Sequence, residues 1–181
     1  MPRLSTASLA TASGVAKPAF DREMLKPGIV HLGIGAFHRA HMAVYVDELL
    51  AAHPNWAIVG ASLRRPDTKD ALEPQDGLYT VAIRDMSGTA CRVIGSILDV
   101  LDANTQRAEL LELMAHPSIR IVSLTVTEKG YCHDPATGEL DERHPDIVHD
   151  LANPTAPRSA PGMLVEALAR RHAAGLAPFT V

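Results

Sequence analysis

Cysteine is scarce in this sequence. Cys91 and Cys132 are the only two among 181 residues, and they do not form a C-x-x-C motif. So small a number excludes a disulfide framework, and we expect free thiols in a reduced, cytoplasmic setting. A redox pair is the less favoured alternative, because reduced cysteines are common in protein cores.

Long apolar runs and an excess of positive charge are also missing. No run approaches the roughly 20 residues that span a bilayer. Residues 1–17 are rich in Ser, Thr and Ala and lack the apolar stretch of a secretory signal. The 17 Lys and Arg against 21 Asp and Glu give a formal net charge of −4. This balance argues against nucleic acids and anionic membranes as partners.

A third glycine is missing from the most informative stretch, residues 28–41. An apolar run at 29–32 predicts a buried strand, and an amphipathic pattern at 42–52 predicts a helix. Between them, Gly33 and Gly35 match the first two glycines of G-x-G-x-x-G, and His38 stands at the third position. Strand, glycine turn and helix can bind a pyrophosphate. Taken alone, however, this stretch is explained equally well by a tight turn that needs the two glycines only for their backbone conformation.

A second apolar run at 56–63 completes a βαβ unit, whose crossover should be right-handed. Ser62, Arg64, Arg65 and Asp67 stand at or after its end. The arginines favour a 2′-phosphate, whereas Asp67 could bind a ribose diol and repel a phosphate. Asp67, with Asp70 three residues later, also fits a helix N-cap, and the two roles could coexist.

The remaining pattern predicts an α/β fold: a Rossmann-type, doubly wound, mainly parallel sheet with helices on both faces and an inserted β-hairpin. Strands at 78–84 and 89–98 form the hairpin, and the run at 119–126 is a central parallel strand. Helices are predicted from a cap at Asn104 or Thr105 to Ala115, at 145–152 and at 161–174, with Gly175 at the last C-cap.

The ends of the chain carry weaker patterns. Residues 1–26 read as an N-terminal arm and 27–181 as one domain, because no sustained period precedes the first strand. Residues 177–181 predict the opening of another strand. We therefore expect that the natural polypeptide continues beyond residue 181.

Polar residues follow the central strand at 127–131. In open α/β sheets ligands bind beyond the carboxyl ends of the strands, so this loop is a candidate site, and a solvated loop with a Lys–Glu pair is the alternative. His31, His38 and His41 are too incomplete a set for a zinc site, since no Cys or carboxylate completes them at a suitable spacing. We expect no metal.

Three motifs occur together in one order: G-I-G-A-F-H-R-A-H at 33–41, Q-D-G-L-Y-T at 75–80 and V-S-L-T-V-T-E-K-G-Y-C at 122–132. In combination they resemble the N-terminal domain of the mannitol dehydrogenase family. That family includes mannitol 2-dehydrogenase, arabinitol dehydrogenase, and fructuronate and tagaturonate reductases. The resemblance extends from about residue 26 to residue 181. In this family F-H-R replaces the third glycine, so His38 is expected at its position.

The resemblance implies a domain that binds NAD, with NADP as the second possibility, followed by a mostly helical substrate domain. Hydride would pass between the nicotinamide and a secondary alcohol or ketone of a sugar alcohol or hexuronate. The family's catalytic lysine, with its asparagine and histidine partners, would lie beyond residue 181. We therefore expect the isolated chain to be inactive, and a truncated, non-catalytic nucleotide-binding module is the alternative.

The resemblance also assigns roles to matching positions. No residue of this chain is a certain catalytic residue, but Glu128 could relay protons to the catalytic lysine, since burial in a closing cleft raises the pKa of a carboxylate. The implied cofactor-binding residues are Gly33, Gly35, Ala36, Phe37, His38, Arg39, Asp67, Thr125 and Thr127.

Overall fold

The computed structural model describes residues 3–181, with the side chain of Glu128 left out. The strands are β1 (Pro27–Leu32), β2 (Ala57–Ser62), β3 (Tyr79–Asp85), β4 (Gly88–Ile94), β5 (Ile97–Asp102) and β6 (Ile121–Leu124). The helices are α1 (Thr6–Leu9), α2 (Ala36–Ala40), α3 (Met42–Leu49), α4 (Asp67–Leu72), α5 (Arg107–Ala115), α6 (Pro145–Ala152) and α7 (Ala160–Ala173). None of these helices is both long and apolar enough to cross a membrane.

Four parallel strands form the main sheet, in the order β5-β2-β1-β6. In chain order this is 3-2-1-4, the first part of the Rossmann arrangement. Thr180 adds a single parallel bridge to Ile121 on the outer side of β6, where the sequence predicts a further strand to begin. The predicted fold class is confirmed: the sheet is mainly parallel, helices cover both faces and a separate hairpin is present.

The sheet is buried on both faces, as expected for parallel strands joined by helices. Alternate residues of each strand point to opposite sides. On one side, Val30 and Leu32 of β1 belong to a core that includes residues of α5 and α7. On the other, Ile29 packs in a second core with residues of α3 and β4. These two layers hold the carboxyl ends of the strands in fixed relative positions.

The hairpin β3–β4 is a separate two-stranded antiparallel sheet. The predicted strand at 89–98 is wrong in one respect, because the chain breaks at 95–96 and continues as β5 of the main sheet. The break is stabilised by α3: the N–H of Gly95 donates to Asp47 Oδ1 at 2.7 Å, and the hydroxyl of Ser96 donates to the carbonyl of Ala43 at 2.7 Å. Arg92 pairs with the buried Asp47 at 2.8 Å.

Two helices, α4 and α5, do not have the N-cap residues that the sequence predicts. Asp67 is the first residue of α4, and Pro66 is its N-cap with no side-chain cap bond, so the predicted capping role of Asp67 is wrong. Helix α5 begins after Gln106 instead of Asn104 or Thr105. Both of those residues donate to the carboxylate of Asp102 in the turn that precedes α5.

Other boundaries shift by a few residues. The helix predicted at 42–52 ends at Leu49, and it is preceded by α2, from which it is separated at His41 (φ −125°, ψ −87°). The strand predicted at 119–126 is confined to β6. Helix α6 is confirmed. The C-cap of α7 is Ala174, one residue before the predicted Gly175, and Gly175 follows it at φ +68°, the left-handed conformation in which glycine commonly ends a helix. Cys91 and Cys132 are both free.

Candidate functional site

A cleft opens at the carboxyl edge of the sheet, where β1, β2 and β6 end. The connections of β1 and β6 leave in opposite directions, so this is the topological switch point at which α/β sheets bind ligands. The cavity has a volume of about 280 Å³. Its described lining residues are Gly33, Ile34, Gly35, Ser62, Leu63, Arg64, Arg65, Thr68, Val126, Thr127 and Gly130.

Gly33 is required by the backbone of the turn. Its φ is +89°, and a Cβ there would lie 3.1 Å from the carbonyl oxygen of Thr125. A side chain at this position would therefore be strained and would also press on the strand end beside it. Gly33 therefore allows the ends of β1 and β6 to lie close together.

Gly35 is not required by the fold in the same way. Its φ is −78°, an ordinary extended conformation, and a Cβ there would meet no atom closer than 3.8 Å. The protein itself leaves that space open beside the first turn of α2. Since the first N–H groups of a helix lack intrahelical acceptors, the open space beside Gly35 fits a ligand that carries hydrogen-bond acceptors.

A chain of partly buried hydrogen bonds, centred on the fully buried ring of His31, lies beneath the glycine turn. The hydroxyl of Thr125 donates to the carbonyl of Gly33 at 2.8 Å, and Nε2 of His31 lies 2.8 Å from the same hydroxyl oxygen. Because the single hydroxyl proton of Thr125 goes to Gly33, Nε2 of His31 carries a proton and donates it. Nδ1 of His31 then accepts from the hydroxyl of Ser123 at 2.8 Å. Burial lowers the pKa of His31 to about 4, so the ring is neutral near pH 7.

His38 continues this buried layer from the side of α2. Its ring stacks on that of His31 with centroids 3.5 Å apart. Neither ring nitrogen of His38 has a hydrogen-bond partner among the described residues. Burial, followed by the charges of His31 and Arg39, lowers the pKa of His38 to about 3. The ring therefore packs as a neutral, flat group under the turn.

Tyr79, at the start of the hairpin, holds the end of α2. Its hydroxyl donates to the carbonyl of Arg39 at 2.6 Å, and burial raises the pKa of Tyr79. The guanidinium of Arg39 turns back to the carbonyl of Ile34 at 2.8 Å and to the hydroxyl of Thr68 at 3.3 Å. Two sequence motifs thus meet here, since Tyr79 belongs to Q-D-G-L-Y-T and Arg39 to the glycine stretch.

The histidine stretch does not gather metal ligands. Phe37 is exposed and stacks on His41 with ring centroids 4.4 Å apart, and His41 Nδ1 bonds to the carbonyl of Phe37. Within residues 3–181, Glu128 side chain aside, no group of three or more His, Cys, Asp or Glu side chains is arranged to hold a metal.

The edge of the cleft beyond β2 is open and charged. Arg64 and Arg65 line it, and Asp67 lies 3.8 Å from Nε of Arg65, with the two side chains 72% and 83% exposed. A smaller cavity of about 210 Å³ adjoins the cleft and shares Leu63, Arg64 and Gly130 with it. Its other described lining residues are Lys129, Cys132, His144, Asp146, Arg158, Ser159 and Ala160.

The cleft gathers some of the residues singled out in the sequence. Gly33, Gly35 and Thr127 line it. The other implied cofactor residues lie beside or beneath it and are not among its lining: Ala36, Phe37, His38, Arg39, Asp67 and Thr125. The side chain of Glu128, the expected proton relay, lies outside the described residues.

Sequence reasoning missed several contributors. Val126 lines the cleft just before the candidate loop at 127–131, and its place after β6 was the available signal; Gly130, which also lines the cleft, belongs to that loop. The turn-holding roles of Thr125 and Tyr79 had no local signal, because their partners are 92 and 40 residues away in the chain. Among the described side chains that line the cleft, none is a carboxylate, histidine, lysine, cysteine or tyrosine. These side chains can bind and orient a ligand, but none of them is a usual general acid or base at neutral pH.

Comparison with known proteins agrees with this geometry. The family model described as the mannitol dehydrogenase Rossmann domain matches residues 27–181. Mannitol 2-dehydrogenase of Pyrenophora tritici-repentis is 47% identical, over 99% of this chain and 32% of the relative. The substrate-free structure of D-sorbitol dehydrogenase superposes with a TM-score of 0.94 at 37% identity, over 98% of this chain and 38% of that one.

A further solved structure is that of Pseudomonas fluorescens mannitol 2-dehydrogenase in a ternary complex with NAD and D-mannitol. It superposes with a TM-score of 0.92 at 42% identity, over 98% of this chain and 37% of that one. The chain therefore spans about a third of the length of the relatives it matches.

Proposed function

This chain belongs to the mannitol dehydrogenase family, and on that premise we propose that it is the nicotinamide-dinucleotide-binding domain of an oxidoreductase that acts on sugar alcohols. The observation that carries the proposal is the space at Gly35. The fold does not need a glycine there, yet the residue has no side chain, and the open space lies at the switch point of the sheet. A pyrophosphate needs such a close approach to the backbone.

The residues of the cleft have distinct places in this proposal. The turn from Gly33 to Gly35 would approach the pyrophosphate, with α2 starting directly behind it. Ser62 and Arg64, at the end of β2, would lie along the adenosine ribose. Val126 and Thr127, at the end of β6, would border the part of the cleft that leads to the nicotinamide.

When bound, the cofactor would accept or supply the hydride in the interconversion of a secondary alcohol and a ketone. The chain's own residues bind and orient it, and the packed layer of His31, His38 and Thr125 beneath the turn excludes water from that side. A sugar alcohol such as mannitol is the proposed substrate, supported by the names of the relatives. Reduction of a hexuronate remains the alternative substrate class.

We propose that proton transfer involves one residue of this chain and one group outside it. Glu128 lies four residues beyond the end of β6 and is the residue of this chain proposed to relay protons. The main acid–base group would come from the part of the longer relatives that this chain does not match. We also propose that residues 27–181 form the cofactor domain and residues 1–26 an arm in front of it.

Binding of NADH tests this function. In a calorimetric titration, the 181-residue chain should bind NADH, and Gly35→Val should abolish that binding without changing the thermal midpoint, because the added methyl groups enter space that only a ligand fills. Ala52→Val is the control: Ala52 is exposed in the turn after α3, at the opposite edge of the sheet. Unchanged NADH binding in Gly35→Val would contradict the proposal.

A further inference from the structure

We propose that Tyr79 is a positioning residue for the cofactor: from the base of the β3–β4 hairpin it holds α2, and through Arg39 it fixes the glycine turn that would receive the pyrophosphate. The inference rests on the proposed function, since it concerns the same turn. Tyr79 is not among the residues that line the cleft. Its effect on a ligand would therefore pass through α2 and not through a contact of its own.

The base of the hairpin is anchored on α3. Directly after β4, the N–H of Gly95 donates to Asp47 Oδ1 and the hydroxyl of Ser96 donates to the carbonyl of Ala43, each at 2.7 Å. Arg92 of β4 pairs with the same Asp47 at 2.8 Å, and the Asp47 side chain is 1% exposed. A buried carboxylate is costly to separate from its partners, so the hairpin base is a fixed support beside α3.

Tyr79 extends this support to α2. It is the first residue of β3, and its hydroxyl donates to the carbonyl of Arg39 at 2.6 Å. That carbonyl belongs to the last turn of α2, whose carbonyls lack donors from their own helix. Burial raises the pKa of Tyr79, so the hydroxyl keeps its proton near pH 7 and can donate. A helix of five residues is marginal by itself, and α2 therefore depends on such contacts for its orientation.

Arg39 carries the constraint from α2 to the turn. Its Nη1 donates to the carbonyl of Ile34, the residue between the two glycines, at 2.8 Å. The same nitrogen lies 3.3 Å from the hydroxyl of Thr68, which lines the cleft from α4. Both acceptors are uncharged groups of the protein. In this arrangement the guanidinium joins the turn, α2 and α4 to one another.

The glycine turn is thus held from two sides. At its strand end the carbonyl of Gly33 accepts from Thr125, and at its helix end the carbonyl of Ile34 accepts from Arg39. A pyrophosphate bound by the backbone of the turn needs that backbone in place before it arrives, because ordering it on binding would lower the affinity. Tyr79 stabilises the helix end of the turn, where Gly35 leaves the open space.

Tyr79→Phe keeps the ring and removes only the hydroxyl. In a calorimetric titration of the 181-residue chain, this variant should bind ADP-ribose about fivefold more weakly, with a thermal midpoint lower by about 2–4 °C. In the free chain, the backbone amide signals of Gly33 to Ala36 should also move. Tyr45→Phe makes the same chemical change at an exposed site on α3 and should alter none of these quantities.

Ile119→Val separates positioning from loss of stability. Ile119 is fully buried two residues before β6, at the edge of the sheet opposite the cleft. Its truncation should lower the thermal midpoint by a similar amount and leave the affinity for ADP-ribose unchanged. An equal loss of affinity in Ile119→Val would overturn the positioning role, because it would show that any loss of stability weakens binding.

Arg39→Lys tests the connection between Tyr79 and the turn. Lysine keeps the charge but not the planar group that reaches Ile34 and Thr68, so this variant should also bind ADP-ribose about fivefold more weakly. If the two residues act in series, the double variant Tyr79→Phe/Arg39→Lys should remain near about fivefold, whereas independent effects would multiply to about 25-fold.

The outcomes also separate this inference from the proposed function. Wild-type affinity in Tyr79→Phe, or multiplied losses in the double variant, would overturn the positioning role while ADP-ribose binding by the unaltered chain keeps the proposed function intact. Absence of ADP-ribose and NADH binding by the unaltered chain would overturn the proposed function, and the positioning role would fall with it. A loss confined to Tyr79 and Arg39, and not additive between them, supports the inference.

Discussion

The floor and the rim of the cleft differ in how their polar groups are satisfied. By the floor we mean Gly33, His31, His38, Thr125 and Tyr79, and by the rim Arg64, Arg65 and Asp67. Apart from the two ring nitrogens of His38, the polar side-chain atoms of the floor have hydrogen-bond partners within the protein, each at 2.8 Å or less. The rim is solvated, and its one ion pair is long and exposed.

This difference assigns the two regions different tasks. Buried hydrogen bonds in a low-dielectric interior are costly to break and hold one geometry. Exposed ion pairs contribute about 0–1 kcal/mol and rearrange freely. The floor therefore fixes the shape of the cleft, whereas the side chains of the rim can move or change without altering the fold. Floor changes that add a side chain at Gly33 or remove one of these hydrogen bonds should reduce both stability and binding, and changes in the rim should alter binding alone.

Gly33→Ala should have the largest effect. A side chain at φ +89° costs about 1–3 kcal/mol, and the new Cβ also crowds the carbonyl of Thr125. Urea unfolding should show this loss, and NADH binding should disappear. Gly175→Ala is the control, since Gly175 has φ +68° with open space around it and lies outside the cleft. The control should lose stability and keep NADH binding; loss of binding in both variants would contradict the assignment.

Acid should weaken the floor next. Burial lowers the pKa of His31 to about 4 and of His38 to about 3, from 6.5, so the unfolded chain binds more protons than the folded chain below about pH 6.5. The stability contributed by the two neutral rings should be complete above about pH 6.5. It should fall as the pH drops, down to about pH 4 for His31 and about pH 3 for His38, by about 1.4 kcal/mol for each pH unit and group in the steepest case. Unfolding in urea at several pH values measures it.

His38→Phe sharpens that prediction. The flat ring keeps its stack on His31, while the two unpartnered nitrogens are removed, so stability near pH 7 should hold or rise. The pH dependence should become shallower. His53→Gln, at an exposed site, should leave it unchanged. A pH dependence that His38→Phe does not reduce would show that the ring titrates as it does in water.

Thr125→Val should cost about 1–3 kcal/mol, because Nε2 of His31 is left without its acceptor while buried. The carbonyl of Gly33 keeps its bond from the N–H of Gly35, so the turn should loosen without unfolding and NADH binding should weaken. Thr125→Ser retains the hydroxyl and is the matched control. Equal stability of the Val and Ser variants in thermal unfolding would count against the buried bond.

Asp67→Asn should have the smallest effect. Its pair with Arg65 is exposed, so stability should change by less than about 0.5 kcal/mol. Thermal unfolding of the variant and of the wild-type chain measures this difference. A stability loss as large as that of Thr125→Val would show that floor and rim are not distinct.

Local pattern explains how much of the fold could be predicted. The strands β1 and β2 and the helices α6 and α7 have apolar spacings that one period accounts for, and they were found within a few residues of their observed bounds. The break between β4 and β5 is not predicted, because it depends on hydrogen bonds that Gly95 and Ser96 donate to Asp47 and Ala43 on a helix distant in sequence.

In the site, too, features set by local pattern are predicted and features set by distant contacts are not. Gly33, Gly35 and Thr127 were placed by their position at strand ends. The bonds of Thr125 and Tyr79 join residues far apart in the sequence, so no local pattern indicates them. The role of Asp67 was misread because a carboxylate before an apolar run fits a cap, whereas Pro66 takes that position in the structure.

Titration of the ¹⁵N-labelled chain with ADP-ribose, followed through its backbone amides, tests the central claim most directly. ADP-ribose carries the pyrophosphate and both riboses of the cofactor without the nicotinamide. The account predicts saturable shifts that are largest in Gly33 to Arg39, Ser62 to Arg65 and Val126 to Gly130, which meet at the carboxyl edge of the sheet. Shifts confined to another face of the domain, or no saturable shifts, would contradict it.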